Sequence, residues 1–258
     1  MQKRVMFISG STWEAELFIE RYTGQTQIHW ENQKTFLYCQ PRIFDQLQCI
    51  FVVTGFDASY AKRALTDALE QFEYVDYVVG HGFCSGLIKH SEAGDPIWTK
   101  ELMFASYPEH LQQTQPMPKS MHPTPVWTKV LALKKSFQNV IEKAAVYASS
   151  NMEVMDPICG IWYKVLSSQE VSYSFIKSIL DGGNEMGPDF YAFLDVQGQF
   201  ESLKVLKKAL SQPMTGMDLR ALKKHRGKEL SEKSHQMIYT LCMNIASQTD
   251  AAQTAIAG

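Results

Sequence analysis

No stretch of this 258-residue sequence approaches the roughly 18 uninterrupted apolar residues that span a bilayer, so no membrane contact is expected. Charge of one sign is also lacking: 25 Lys and Arg stand against 27 Asp and Glu, a formal net charge of −2. That near-balance argues against a DNA-coating basic protein or an acidic tail protein, and no nucleic-acid partner is expected. The opening Met1–Ser9 is too short an apolar stretch for a secretory leader, and Ser9-Gly10-Ser11-Thr12 followed by Glu14 and Glu16 breaks it. A first β-strand in a cytoplasmic protein explains it better. No two of the five cysteines (Cys39, Cys49, Cys84, Cys159, Cys242) stand at CxxC spacing, which excludes a zinc knuckle and a local redox pair. Free buried thiols are expected instead, with no metal and no organic cofactor.

What is present is a globular composition, 45% hydrophobic and 20% charged, enough for one generous domain. Strand-length apolar runs recur at Val5–Ser9, Thr35–Cys39, Cys49–Thr54, Tyr74–Val79, Ala144–Ala148 and Tyr173–Leu180. Several, such as Cys49-Ile50-Phe51-Val52-Val53, are apolar on both faces and suit a strand covered on both sides. Helical periodicity marks Tyr60–Phe72, Val126–Ile141 and Ile158–Leu166. The alternation predicts an α/β fold with a central mixed, twisted sheet flanked by helices. This domain is expected over residues 1–212, with a helical extension packed on it over 213–258.

Ser106–Pro125 carries Pro108, Pro116, Pro118, Pro123 and Pro125, which excludes a helix or a central strand. A surface connector, a lid or a subunit contact each fit it. Beyond Asp181 helical patterns cover Phe200–Leu210, Met217–His225 and Leu230–Ala246, ahead of a small-residue tail expected to fray. The basic residues there, Lys207, Lys208, Lys223, Lys224, Arg226 and Lys228, lack interleaved aromatics and read as a solvated helix face.

Four segments after strands carry residues a core does not need, and in an open α/β sheet ligands gather at the carboxyl ends of strands. Ser9–Glu16 offers Glu14 and Glu16, although serine followed by acids is also an ordinary helix start. His81-Gly82-Phe83-Cys84-Ser85-Gly86-Leu87 admits three readings. A dinucleotide fingerprint and a nucleophile elbow with Cys84 both require a helix directly after, where Leu87–Pro96 runs into another turn. A backbone cradle for a sugar or anion needs none. Asn151–Asp156 presents Glu153 and Asp156 ahead of Pro157, where Asp156 also suits a helix cap. Asp181-Gly182-Gly183-Asn184 closes the last strand, at a position fit for a turn residue or a catalytic carboxyl.

The order of these segments resembles the nucleoside phosphorylase superfamily, nearest its hydrolytic branch of methylthioadenosine/S-adenosylhomocysteine nucleosidases and futalosine hydrolases. His81–Leu87 followed by Gly94-Asp95 resembles that family's G-x-A-G-G-L…G-D segment, with Ser85 at the second glycine. Val53-Thr54-Gly55-Phe56 is similar to its V-T-G-I/V, Glu153-Val154-Met155-Asp156 to its E-x-M-E, and Val171–Asp181 to its I-P-F-x-x-I-R-x-I-S-D. The resemblance, over residues 4–195, implies N-glycosidic hydrolysis of a purine nucleoside or thionucleoside by a homodimer. It implies Asp181 as the acid and Glu16 as the base, with Ser85, Gly82, Met155, Asp156 and Glu153 binding substrate. Family phosphorylases hold phosphate with arginines near the first and glycine-rich loops. Gly10–Leu17 and Val78–Leu87 contain none, which points to water as nucleophile. Lys177 and Leu180 depart from the family's arginine and serine, and Glu142–Ser150 is a shortened stretch. These departures motivate an alternative, a non-catalytic binding or scaffolding relative.

Overall fold

The computed structural model describes residues 2–104, 107–112, 126–132, 139–185, 193–201, 204 and 226–256. Its strands are β1 (Lys3–Ser9), β2 (Glu31–Asn32), β3 (Leu37–Cys39), β4 (Leu47–Val53), β5 (Tyr77–Gly86), β6 (Pro96–Phe104), β7 (Tyr107–Gln112), β8 (Val126–Ala132), β9 (Val154–Asp156) and β10 (Ser172–Asp181). Its helices are α1 (Thr12–Thr23), α2 (Ala58–Gln71), α3 (Val140–Ser150), α4 (Cys159–Leu166) and α5 (Gly227–Ile256). The strand order is β10-β6-β8-β9-β5-β1-β4-β3-β2, and β10 also pairs with β5. The strands β5, β10, β6, β8 and β9 therefore close on one another, while β1 to β4 extend from that ring as an open wing. The pairs β1–β4, β1–β5, β5–β10, β6–β8 and β8–β9 are parallel, and β6–β10 and β5–β9 antiparallel. The sheet is mixed, as expected.

Strand alternation sends the two-faced apolar runs into two cores. Met6, Ile8, Ile50 and Val52 pack with Ala61, Ala64 and Leu65 of α2 and Trp162 of α4. Val5, Phe7, Cys49 and Phe51 face the other way, onto Phe18 of α1 and Met237, Ile238 and Leu241 of α5. Each such large side chain, fully buried, contributes about 1.5–3 kcal/mol.

Three expectations are corrected. The strand expected over Tyr74–Val79 begins at Tyr77 and runs on through Gly86, so the glycine-rich segment is strand, not loop. Glycines serve there because neighbours press on the backbone: a Cβ on Gly80 would meet Phe175 and Trp162. The helix expected over Val126–Ile141 is β8 as far as Ala132, held between β6 and β9; residues 133–138 lie outside the described residues. The strand expected over Ala144–Ala148 is the body of α3, in keeping with alanine's helix propensity.

Within Ser106–Pro125, Tyr107–Gln112 pairs with β6 as β7, and residues 113–125 lie outside the described residues. Most of Phe200–Leu210 and all of Met217–His225 lie outside them as well. Leu230–Ala246 falls within α5, whose backbone stays helical to Ile256 where fraying was expected. Among the described residues no helix is long and apolar enough to cross a membrane, and no group of three or more His, Cys, Asp or Glu is placed to hold a metal.

Candidate active site

Ser11 caps α1, and Glu14 completes the capping box: its Oε2 accepts from the Ser11 amide and hydroxyl, each at 3.0 Å. Its other oxygen does more. Glu14 Oε1 accepts the Phe83 amide of β5 at 2.9 Å. Gly82 has φ 130°, and a Cβ there would overlap that carboxylate. Burial raises the Glu14 pKa, against the Lys177 charge and the hydrogen bonds from Phe83 and Ser11. Glu16 lies two residues on, about 200° around the helix. It is half-buried and accepts Trp30 Nε1 at 3.1 Å, so the first-loop acid turned toward β5 is Glu14 rather than Glu16.

At the end of β10 an irregularity between Ile179 and Asp181 sets Asp181 opposite Ser85. Ser85 Oγ donates to Asp181 Oδ1 at 2.8 Å, and the buried Lys143 ammonium of α3 pairs with Oδ2. Burial raises the Asp181 pKa, opposed by Lys143 and Ser85. Met155 pairs with Ser85 across β9 and β5 and packs with Leu87, Leu131 and Met152.

Asp156 Oδ1 accepts the amides of Ile158 and Cys159 at 2.7 and 2.8 Å, the capping role open to it from sequence. Its Oδ2 lies 2.8 Å from the Lys177 ammonium. Neither atom makes a well-aligned hydrogen bond, so the contact is chiefly Coulombic. Lys177 also sits 4.4 Å from the centre of the Trp162 ring, whose Nε1 donates to Thr54 Oγ1 at 2.9 Å. Burial works against the Lys177 charge, yet Asp156, Cys159 and Glu14 more than offset it and leave its pKa raised.

Glu153 is not part of this cluster. Its Oε2 accepts the Lys129 amide at 3.2 Å and its backbone bonds Leu87 and Lys129, tying β8 to the end of β5. Of the two candidate pairs, Met152-Glu153 and Met155-Asp156, it is Met155 of the second that lies opposite Ser85. The nucleophile-elbow reading of Cys84 is corrected. Cys84 lies inside β5, fully buried, with Sγ 3.5 Å from the Ser178 carbonyl oxygen. Burial first, then the charges of Asp156, Asp181 and Glu14, push its thiol well above the ordinary pKa despite Lys177, so it stays neutral.

The structure therefore gathers Glu14, Gly82, Ser85, Met155, Asp156 and Asp181 at one end of β5, and leaves Glu16 and Glu153 outside. Two cations join them, neither of them expected as a site residue from the sequence. Lys177 stood where the resemblance placed an arginine; Lys143 had only the weak signal of a lone cation in the apolar run Val140–Ala148. Two buried carboxyls with raised pKa values suit proton transfer in either direction, and Lys177 supplies a fixed positive charge between Glu14 and Asp156.

Mixed topology and flanking helices give the chain a fold shared with solved nucleosidases. Similar solved structures include Helicobacter pylori methylthioadenosine/S-adenosylhomocysteine nucleosidase, as a mutant with 5′-methylthioadenosine in the active site (TM-score 0.63, 11% identity, 96% of this chain and 100% of that one). Helicobacter pylori futalosine hydrolase is similar as well (TM-score 0.59, 10% identity, 84% and 97%). So is the Chlamydia trachomatis nucleosidase bound to adenine (TM-score 0.56, 14% identity, 93% and 97%). At these identities the likeness is one of fold. No family model and no curated protein matches the sequence.

Proposed function

We propose that the protein binds a purine nucleoside or thionucleoside at the carboxyl ends of β5 and β10 and hydrolyses its N-glycosidic bond. One observation carries this reading: Glu14 and Asp181, from opposite ends of the α/β region, are anchored on Phe83 and Ser85 of a single strand, both buried and both with raised pKa values. Cleavage leaves positive charge on the sugar and negative charge on the departing base. Asp181, protonated, donates to the base; Glu14, ionised beside Lys177, takes a proton from water at the sugar. Each transfer is worth ~10²–10⁴-fold. Ser85 orients Asp181, and Met155 with Asp156 faces the ribose. Similar structures that hold methylthioadenosine or adenine support this class of ligand. The five free, buried thiols support a reducing, cytoplasmic setting, and a homodimer completes the reading.

The test is incubation of purified protein with methylthioadenosine, adenosylhomocysteine or futalosine, with and without phosphate, and chromatography of free base. Release of base without phosphate is expected from at least one. No release from any of the three overturns the activity.

A second reading, a nucleoside-binding protein without turnover, is favoured by two contacts. Lys143 neutralises Asp181, and Asp156 spends one oxygen on α4. Thermal shift separates the two: a binder gains about 2.7 kcal/mol at a hundredfold excess over Kd while releasing no base.

A further inference from the structure

Helix α3 is built against the usual rule. Its residues are largely apolar (Val140, Ile141, Ala144, Ala145, Val146, Tyr147, Ala148), yet the one fully buried side chain is Lys143. Ile141 is 76% exposed, and every other α3 residue is exposed or half-exposed. A helix in a globular protein docks through an apolar stripe; among the described residues α3 docks through an ammonium and one half-buried apolar side chain, Val146, against Leu131 and Met152. That ammonium has three protons to donate and three acceptors around it: Asp181 Oδ2, the Gly182 carbonyl oxygen at 2.9 Å and the Glu185 carbonyl oxygen at 3.0 Å. Lys143 is thus fully satisfied by the carboxyl and the turn that follow β10, and has no donor left for a ligand.

The geometry points to Lys143 as a latch that holds α3 down on Asp181, so that a base can reach its Oδ2 only by displacing the lysine. This rests on the nucleoside-binding reading above. Ser85 donates to Asp181 Oδ1 and Lys143 holds Oδ2, so a base nitrogen that takes Oδ2 has to displace the lysine. Closure and ligand binding compete for one oxygen. The apparent affinity is lowered by the fraction of molecules in which the latch is shut. A buried charge pair suits such a switch, because its desolvation cost nearly cancels its attraction and leaves the two states close in free energy.

Hydrogen–deuterium exchange on the full chain tests it, with wild type, Lys143→Met, which keeps length without charge, and Lys143→Arg, which keeps the charge. Lys143→Met should speed exchange over residues 140–150 by about tenfold or more while β5 and β10 stay protected, and Lys143→Arg should restore slow exchange. Methylthioadenosine, the probe, should bind Lys143→Met about tenfold more tightly, and in wild type it should speed exchange over 140–150 while slowing it at β5 and β10. Equal exchange over 140–150 in wild type and Lys143→Met overturns the latch. Weaker binding by Lys143→Met, or slower wild-type exchange over 140–150 with the probe, overturns the competition. Should Lys143→Met not fold, the wild-type titration decides alone. Absence of binding by every form overturns the nucleoside reading and the competition with it, and the exchange comparison still decides whether Lys143 tethers α3.

Discussion

Gly82 and Glu14 occupy one space between them: the carboxylate of Glu14 fills the place where a side chain on Gly82 would stand, and bonds the next amide of β5. The backbone of Gly82, at φ 130°, lies where side chains are rarely accommodated. Gly82→Ala should therefore destabilise the fold by about 1–3 kcal/mol and displace Glu14. Chemical denaturation measures the first effect, and turnover should fall with the second. Unchanged stability would mean that Glu14 moves aside freely.

The two acids of α1 make a sharp pair for mutagenesis. Glu14→Gln should lower turnover by about 10²–10⁴-fold, whereas Glu16→Gln, beside Trp30, should leave turnover near wild type. Rates on the best of the three candidate substrates decide it. Loss with Glu16→Gln and not with Glu14→Gln would return the base to Glu16.

Asp181→Asn removes the acid and strips Lys143 of its counter-ion. Turnover should fall by about 10²–10⁴-fold, and stability should fall by no more than the small free energy that keeps the latch shut, because an unpaired Lys143 can swing out to water. The double variant Asp181→Asn, Lys143→Met should not regain turnover. Intact turnover in the single variant removes the acid assignment.

His81 gives the fold an acid limb. Its ring is buried against Phe7, Phe18 and Phe51, neither nitrogen has a hydrogen-bond partner, and burial, aided by Lys177, lowers its pKa to about 3. The unfolded chain takes up this proton near pH 6.5 and the folded chain near 3. The unfolded state thus binds more protons in between, and stability is lost as pH falls through that window, at up to about 1.4 kcal/mol per pH unit. His235, also lowered by burial, acts in the same sense; the raised carboxyls Glu14 and Asp181 act in the opposite one. The informative quantity is the difference between wild type and His81→Leu, whose slope between pH 4 and 6 should be shallower by about one proton. Parallel slopes would show that His81 is protonated in the folded state.

Much of the architecture was legible locally. The runs that became β1 and β4 announce buried strands because both their faces are apolar, and both faces are in fact covered. The stripes of α2 and α4 likewise match the helices found. The segment Gly80–Gly86 was not legible, since glycines carry no periodicity and become strand only when β1, β9 and β10 supply partners. Val126–Ala132 fits a helical stripe on its own, and the ladders of β6 and β9 override it.

Read alone, the sequence settled an α/β sheet with acids after its strands, because the alternation of apolar side chains is written into neighbouring residues. The choice of which acids turn inward belonged to the folded chain. Glu14 and Glu16 are equally compatible with the start of α1, and only the approach of Gly82 and Phe83 selects Glu14. In the same way nothing near Lys143 in the chain marks it as the partner of Asp181. Contacts between remote segments are fixed by the register of the whole sheet, which no local pattern encodes.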